Sequence, residues 1–269
     1  MTVNLGARVV VARAYSSHSG QQPDHTSIPF LSFEKLPNKT MTTNASTADS
    51  AVLAASIGSA VVYQALVRAP PSYSRMVIKT ASTALLSIFS YLRGGPTFLV
   101  GALALGSTGD AFLAWNDETS FLLGLASFLF AHILYIILFF HTGPGRGDIS
   151  AKVEILYNGD SWRFGTAGAL AVLAPVMIMQ LMPRVGNDLR APVAVYSLTI
   201  FVMALTALTL KRSEIIIGAV MFTGSDSILA AARFLVPATS AHQAWMHHAV
   251  WVLYYGGQLL IALGVIASE

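Results

Sequence analysis

An all-α, polytopic membrane bundle of about eight transmembrane helices is the fold this sequence predicts, and three observations carry it. The 269-residue chain is 54% hydrophobic but only 11% charged, far below the roughly 25% charged residues of an ordinary soluble domain. Its mean hydropathy is +0.62. Its apolar residues fall into separate runs, each long enough at about 1.5 Å per residue to cross the roughly 30 Å hydrocarbon layer as a helix. Helices satisfy their own backbone hydrogen bonds, as a bilayer demands.

The runs come in order at Ala51–Val67, Met76–Leu92, Pro96–Trp115, Ser120–Phe140, Gly165–Met182, Ala191–Leu210, Ile215–Phe234 and Trp245–Ile266. Together they make a membrane domain over residues 49–269. Most connections are short and force neighbours antiparallel. The longest, from His141 to Phe164, is rich in glycine and mixed charge and is expected at the surface. Pro175 lies inside the fifth run, where it removes a helix hydrogen bond and kinks the helix.

Residues 1–48 are polar and rich in Ser, Thr, Pro and Asn, the composition of a disordered tail. Arg8 and Arg13 flank Val9-Val10-Val11-Ala12 without an acid among the first 20 residues. That pattern is shared by mitochondrial targeting segments and by ordinary tails of endoplasmic-reticulum proteins, so the chain is expected in one of those two membranes.

Eight runs place both termini on one side. Lys35, Lys39, Arg93, Arg146, Lys152, Arg163, Lys211 and Arg212 share that side, against Arg68, Arg75, Arg184, Arg190 and Arg233 on the other, the far face. Eight against five leans towards termini in the cytosol or matrix. The net charge of +3 is scattered and excludes a nucleic-acid surface; the absence of cysteine excludes disulfides, thiolate metal sites and cysteine nucleophiles.

Two acidic residues interrupt the apolar runs. Asp110 lies in Thr108-Gly109-Asp110-Ala111-Phe112-Leu113-Ala114, and Asp226 in Gly224-Ser225-Asp226-Ser227-Ile228-Leu229-Ala230. Aligned on the aspartates, both read small, small, Asp, small, bulky, Leu, Ala. The two runs are four apart and point the same way, which is consistent with an internal four-helix duplication. A carboxylate in hydrocarbon costs several kcal/mol, roughly 3 at the centre of a helix, so it faces a polar interior and does a job there.

Depth counting groups the polar residues. From the far end of each run, Lys79 lies roughly 5 Å deep, Asp110 roughly 8 Å and Asp226 roughly 12 Å, at about 1.5 Å per residue. His132, Tyr135, Tyr254, Tyr255 and Gln258 fall near mid-membrane. One half of the bilayer therefore holds them all, as a cavity open to the far face requires.

The candidate roles follow from chemistry. Two carboxyls sharing a low-dielectric site hold one proton between them, giving one acid and one base. Hydrogen bonding of each aspartate to Thr108, Ser225 or Ser227 as mere helix glue is the structural alternative. Lys79 suits a counter-ion for an aspartate, a lipid-phosphate ligand or a side chain snorkelling to the interface. His132 and Tyr135 suit proton relay or simple core hydrogen bonding; Tyr254, Tyr255 and Gln258 suit cavity walls or packing. His242, His247 and His248 lie at the far interface. No Gly-x-Ser-x-Gly frame, HExxH helix or phosphate-cradling glycine loop is present, so no cofactor or metal is called for.

Across residues 51 to the C-terminus the chain resembles the YhhN/lysoplasmalogenase family of eight-span membrane proteins. The resemblance is carried by Lys79 with the small polar residues after it, Gly109 to Ala114, and Phe121 to Phe128 leading into His132 and Tyr135. It continues through Gly218 to Phe222 with Ser225-Asp226-Ser227, and ends in Tyr254-Tyr255 with Gln258 to Ile261. Thr80 and the long 141–164 connection depart from it. The resemblance implies a hydrolase that cleaves the vinyl-ether bond of lysoplasmalogens, a lysophospholipid substrate drawn from the bilayer, to a fatty aldehyde and a glycerophospho-base. Asp110 and Asp226 are the expected acid/base pair, with Lys79, His132, Tyr135, Ser225, Ser227, Tyr254, Tyr255 and Gln258 as supporting or substrate-binding residues. A metal-dependent lipid hydrolase using the histidines, and a proton-coupled transporter or lipid-binding protein, are the alternatives.

Overall fold

The computed structural model describes residues 39–268, with side chains from residue 47 onward. The reading of the N-terminal tail and its targeting pattern lies largely outside the described residues. The described residues form nine helices and no strand. Eight of them are the expected runs. α1 (Lys39–Leu66) begins twelve residues before Ala51, α2 is Tyr73–Leu92, α3 is Thr97–Phe112 and α4 is Glu118–Phe140. After the short α5 (Ile149–Asn158) come α6 (Ser161–Leu181), α7 (Asn187–Ala207), α8 (Ser213–Phe234) and α9 (His242–Ile266).

Six of the helices are long and apolar enough to cross a membrane: α1, α4, α6, α7, α8 and α9. The chain is an integral, multi-pass membrane protein. Of the other two expected spans, α3 is apolar but only 16 residues long. α2 has the length, at 20 residues, but carries a polar stripe, Lys79, Ser82, Thr83, Ser87 and Ser90, all of it buried. Residues three and four apart share a helix face, so α2 turns this stripe inward and its average hydropathy understates how apolar its outer face is.

The 141–164 connection is not loop throughout. Asp148 caps α5 by accepting from Ser150 N at 2.8 Å, and Lys152 on α5 is buried, donating from Nζ to Phe139 O at 3.1 Å and Thr142 O at 2.9 Å. Left-handed glycines at 143, 145 and 147 turn the chain into this helix. Ten residues are too few to span a bilayer, so α5 lies on the side where α4 ends and α6 begins.

α3 packs against α2 and α4, α4 against α7, and α8 against α9. The α8–α9 contact is set by absent side chains: a Cβ on Gly218 would meet Gly257 O at 2.7 Å, and one on Gly257 would meet Gly218 O at the same distance. Small residues let backbones approach, the common device where no hydrophobic gradient drives helices together. Each aspartate thus sits on the first member of an intimately packed pair, α3–α4 or α8–α9. Pro175 lies inside α6 as expected, and Pro192 lies inside α7.

Candidate active site

A cavity of about 330 Å³ occupies the far half of the bundle, and both Asp110 and Asp226 line it. It draws on the C-terminal halves of α1, α3, α6 and α8 and the N-terminal halves of α2, α4, α7 and α9. Because alternate helices run in opposite directions, those halves all lie towards one face.

Their settings differ. Asp110 is 1% exposed and fully engaged. Its Oδ1 pairs with Lys79 Nζ at 3.3 Å, while its Oδ2 accepts from Thr83 Oγ1 at 2.9 Å and Tyr254 Oη at 2.8 Å. The counter-ion role is thus the one Lys79 occupies, and Lys79 is itself 9% exposed rather than at the interface. Gly109 makes room beside the carboxyl: a Cβ there would stand 2.6 Å from the Phe128 ring.

Asp226 is half-buried and has no cation within ion-pair distance among the described residues. Its hydrogen-bond partner is Tyr196, on α7, which donates to Oδ2. Tyr196 escaped the sequence reading, although a signal existed. It lies nine residues into α7 from the far face, about 13 Å deep at 1.5 Å per residue, level with Asp226. A phenol among small and aliphatic residues at matching depth was the clue.

The remaining expected residues separate into two sets. Ser225 and Ser227 line the cavity but do not bond the aspartates: Ser225 Oγ donates to Val250 O at 2.9 Å, and Ser227 Oγ to Thr223 O at 2.8 Å. Thr108 likewise donates to Ala104 O on its own helix. The hydroxyls that hold the carboxyls come from other helices instead, because a helical hydroxyl readily returns to its own turn.

His132, Tyr135, Tyr255 and Gln258 lie outside the cavity wall. His132 is fully buried, with Nδ1 2.6 Å from Phe128 O and its ring 5.4 Å from that of Tyr196 and 4.7 Å from that of Phe222. It packs behind Tyr196 rather than facing the cavity. Tyr135 donates to Gln258 Oε1, and Tyr255 Oη lies 2.7 Å from Ser56 Oγ, tying α4 and α1 to α9.

The far-face histidines do not converge. His242 Nδ1 accepts from Trp245 Nε1 at 3.2 Å, His248 Nδ1 is 2.9 Å from Gln64 Nε2, and His247 alone reaches the cavity. Among the described residues no three His, Asp or Glu side chains gather as a metal site would require.

Several named proteins are similar to this chain. A lysoplasmalogenase of Mycobacterium tuberculosis (strain CDC 1551 / Oshkosh) is 31% identical over 175 residues, 62% of this chain and 59% of that protein. Lysoplasmalogenase TMEM86B of Homo sapiens is 32% identical over 177 residues, 65% of this chain and 66% of that protein. Lysoplasmalogenase TMEM86B of Sus scrofa is 28% identical over 211 residues, 74% of this chain and 78% of that protein. The chain thus spans less than two thirds of the length of the first two, 59% and 66%. No solved structure matches it. Residues 74–265, which carry both aspartates and every helix from α2 to α9, match the YhhN family, and the chain belongs to that family.

Proposed function

We propose that this protein is a membrane-embedded lysoplasmalogenase that hydrolyses the vinyl-ether bond of a 1-alkenyl lysophospholipid by aspartate acid/base catalysis. The observation that carries the reading is the pair Asp110 and Asp226 on one cavity wall in unequal settings. The names of the similar proteins supply the substrate class.

From the unequal settings we infer the roles. A cation at 3.3 Å and two donated hydroxyls keep Asp110 as the carboxylate. Asp226, open to the cavity and without a cation, carries the proton, since an unpaired charge is costly there. Asp226 delivers that proton to the β-carbon of the vinyl ether. The oxygen lone pair then forms the oxocarbenium ion, which the negative Asp110 stabilises across the cavity. Water adds to the cationic carbon and its surplus proton passes to Asp226. The hemiacetal collapses as its hydroxyl proton moves, through the pair, onto the leaving alkoxy oxygen. Fatty aldehyde and glycerophospho-base leave, one water is consumed, and Asp226 is protonated again.

The shape of the cavity supports one direction for the substrate. α1 and α2 line one end of the cavity and α6 the other; α2 and α6 do not pack on each other, and the aspartate helices lie between. The α6 end is apolar, with Leu170, Leu173, Met177 and Leu181 on the wall. It takes the alkenyl chain. The α1–α2 end, where Lys79 and Arg75 lie, takes the polar head. Residence in the endoplasmic reticulum or mitochondrion rests on the N-terminal Arg8 and Arg13 pattern.

The decisive test is purified protein with matched alkenyl, alkyl and acyl lysophospholipids, reading free aldehyde. Aldehyde from the alkenyl lipid alone is the expected result; release of fatty acid from the acyl lipid would move the reading to a phospholipase. Asp110→Asn and Asp226→Asn should each cut turnover by at least 10²-fold, the usual scale of acid/base groups, while eluting as folded monodisperse protein. Near-normal turnover in both variants overturns the mechanism.

A further inference from the structure

From the charges that face the cavity we infer a phosphodiester subsite centred on Arg75 that recognises the substrate head group. The inference rests on the lysophospholipid reading and deepens it.

Four basic side chains line the cavity: Arg75, Lys79, Arg233 and His247. Lys79 is neutralised by Asp110. Arg233 sits over the Phe121 ring, its Cζ 3.7 Å from the ring centroid. Arg75 has no carboxylate within ion-pair distance among the described residues. Its contacts are neutral oxygens: NH1 donates to Ala114 O at 3.2 Å, and NH2 to Tyr63 Oη and Val67 O, each at 3.2 Å. Its Nε is buried without a partner among the described residues. The guanidinium is therefore fixed by three neutral oxygens, with no carboxylate paired to its charge where Arg75 lines the cavity. His247 lines the same cavity. Among the described residues, Arg75 is a cation at this end of the cavity that no carboxylate pairs.

Position identifies that anion. Arg75 precedes Lys79 by one helical turn, roughly 6 Å further towards the far face at 1.5 Å per residue. That separation is about the length of a glycerol backbone. With the vinyl ether at the aspartates, the phosphodiester of the same lipid falls at Arg75. Guanidinium is the side chain best shaped for phosphate oxygens, through charge-assisted hydrogen bonds.

The test separates phosphate recognition from the structural role of Arg75 in tying α1 and α3 to α2. Wild-type protein is challenged with two uncleavable ligands, 1-O-alkyl-glycerophosphocholine and 1-O-alkylglycerol, which differ by the phosphocholine head, and with choline as a control for its ammonium group. The phosphate ligand should bind at least tenfold more tightly, read from the rise in melting temperature with concentration. Arg75→Gln should lower the kcat/KM ratio of 1-alkenyl-glycerophosphocholine over 1-alkenylglycerol at least tenfold, through KM, with Arg75→Lys recovering part of it. Equal binding of the two alkyl ligands to wild type, or equal losses on both alkenyl substrates in Arg75→Gln, overturns the subsite. Should wild type release no aldehyde from either alkenyl lipid, the lysoplasmalogenase reading fails by itself, and the alkyl-ligand binding still decides the subsite.

Discussion

At the scale of single residues, the difference between Asp110 and Asp226 matters more than their likeness. Both occupy the same local pattern, small-Asp-small-bulky-Leu-Ala, yet one is wrapped by Lys79, Thr83 and Tyr254 and the other is held by Tyr196. None of these partners comes from the aspartate's own helix, so the short motif is blind to them. Two predictions belong here. Tyr196→Phe removes the hydrogen bond to Asp226; Asp226 becomes a carboxylate as it gives up its proton, and at about 1.5–3 kcal/mol for a bond to a charged group kcat should fall roughly 10- to 150-fold with KM little changed, measured in steady-state turnover. Reaction in D₂O should place a single deuterium on the carbon next to the aldehyde, detectable by mass spectrometry. An unlabelled aldehyde would exclude protonation at carbon.

Helix ends and helix crossings decide how the elements hold the site. Basic side chains repeatedly meet the carbonyl ends of helices: Lys152 at the end of α4, Arg163 at Leu208 O and Leu210 O beyond α7, Arg212 at Ala267 O after α9, and Arg75 at Val67 O and Ala114 O after α1 and α3. These ends carry unsatisfied carbonyls and the negative pole of the dipole. At the opposite pole, Asp117 caps α4 by accepting from Ser120 N at 2.8 Å, and that backbone hydrogen bond holds its carboxyl below the ordinary 3.8. A depressed aspartate contributes stability above its unfolded value and loses it as pH falls through its folded one. The melting-temperature gap between wild type and Asp117→Ala should therefore be steady near neutrality and close below pH 3.8. At the crossing of α8 and α9, Gly218→Val forces a branched side chain into Gly257 O. Overpacking of this kind costs about 1–3 kcal/mol. It should lower the melting temperature in detergent and, by tilting the helix that carries Asp226, reduce turnover as well.

For the whole molecule, the histidines that composition offered as metal ligands are dispersed over Trp245, Gln64 and the cavity mouth. Aldehyde release should persist after exhaustive chelation; its loss, restored by added divalent metal, would favour the metal-dependent alternative. The order of the eight apolar helices and the far-half clustering of the aspartates were legible from hydropathy and rise per residue, because a bilayer fixes the length and polarity of anything that crosses it. The inward polar stripe of α2 was less legible, since composition averages over a helix's faces. α5 was missed because ten residues among three turn glycines read as loop. The lateral choices were not readable at all. That Tyr196 meets Asp226, that Lys79 goes to Asp110, and that His132, Tyr135, Tyr255 and Gln258 stand behind the wall depend on how each helix rotates and which neighbour it meets. Sequence periodicity determines the depth of a side chain along the membrane normal, a one-dimensional quantity counted along a single helix. Only packing among helices decides azimuth, and azimuth turns two acidic residues at similar depth into one site with two different carboxyls.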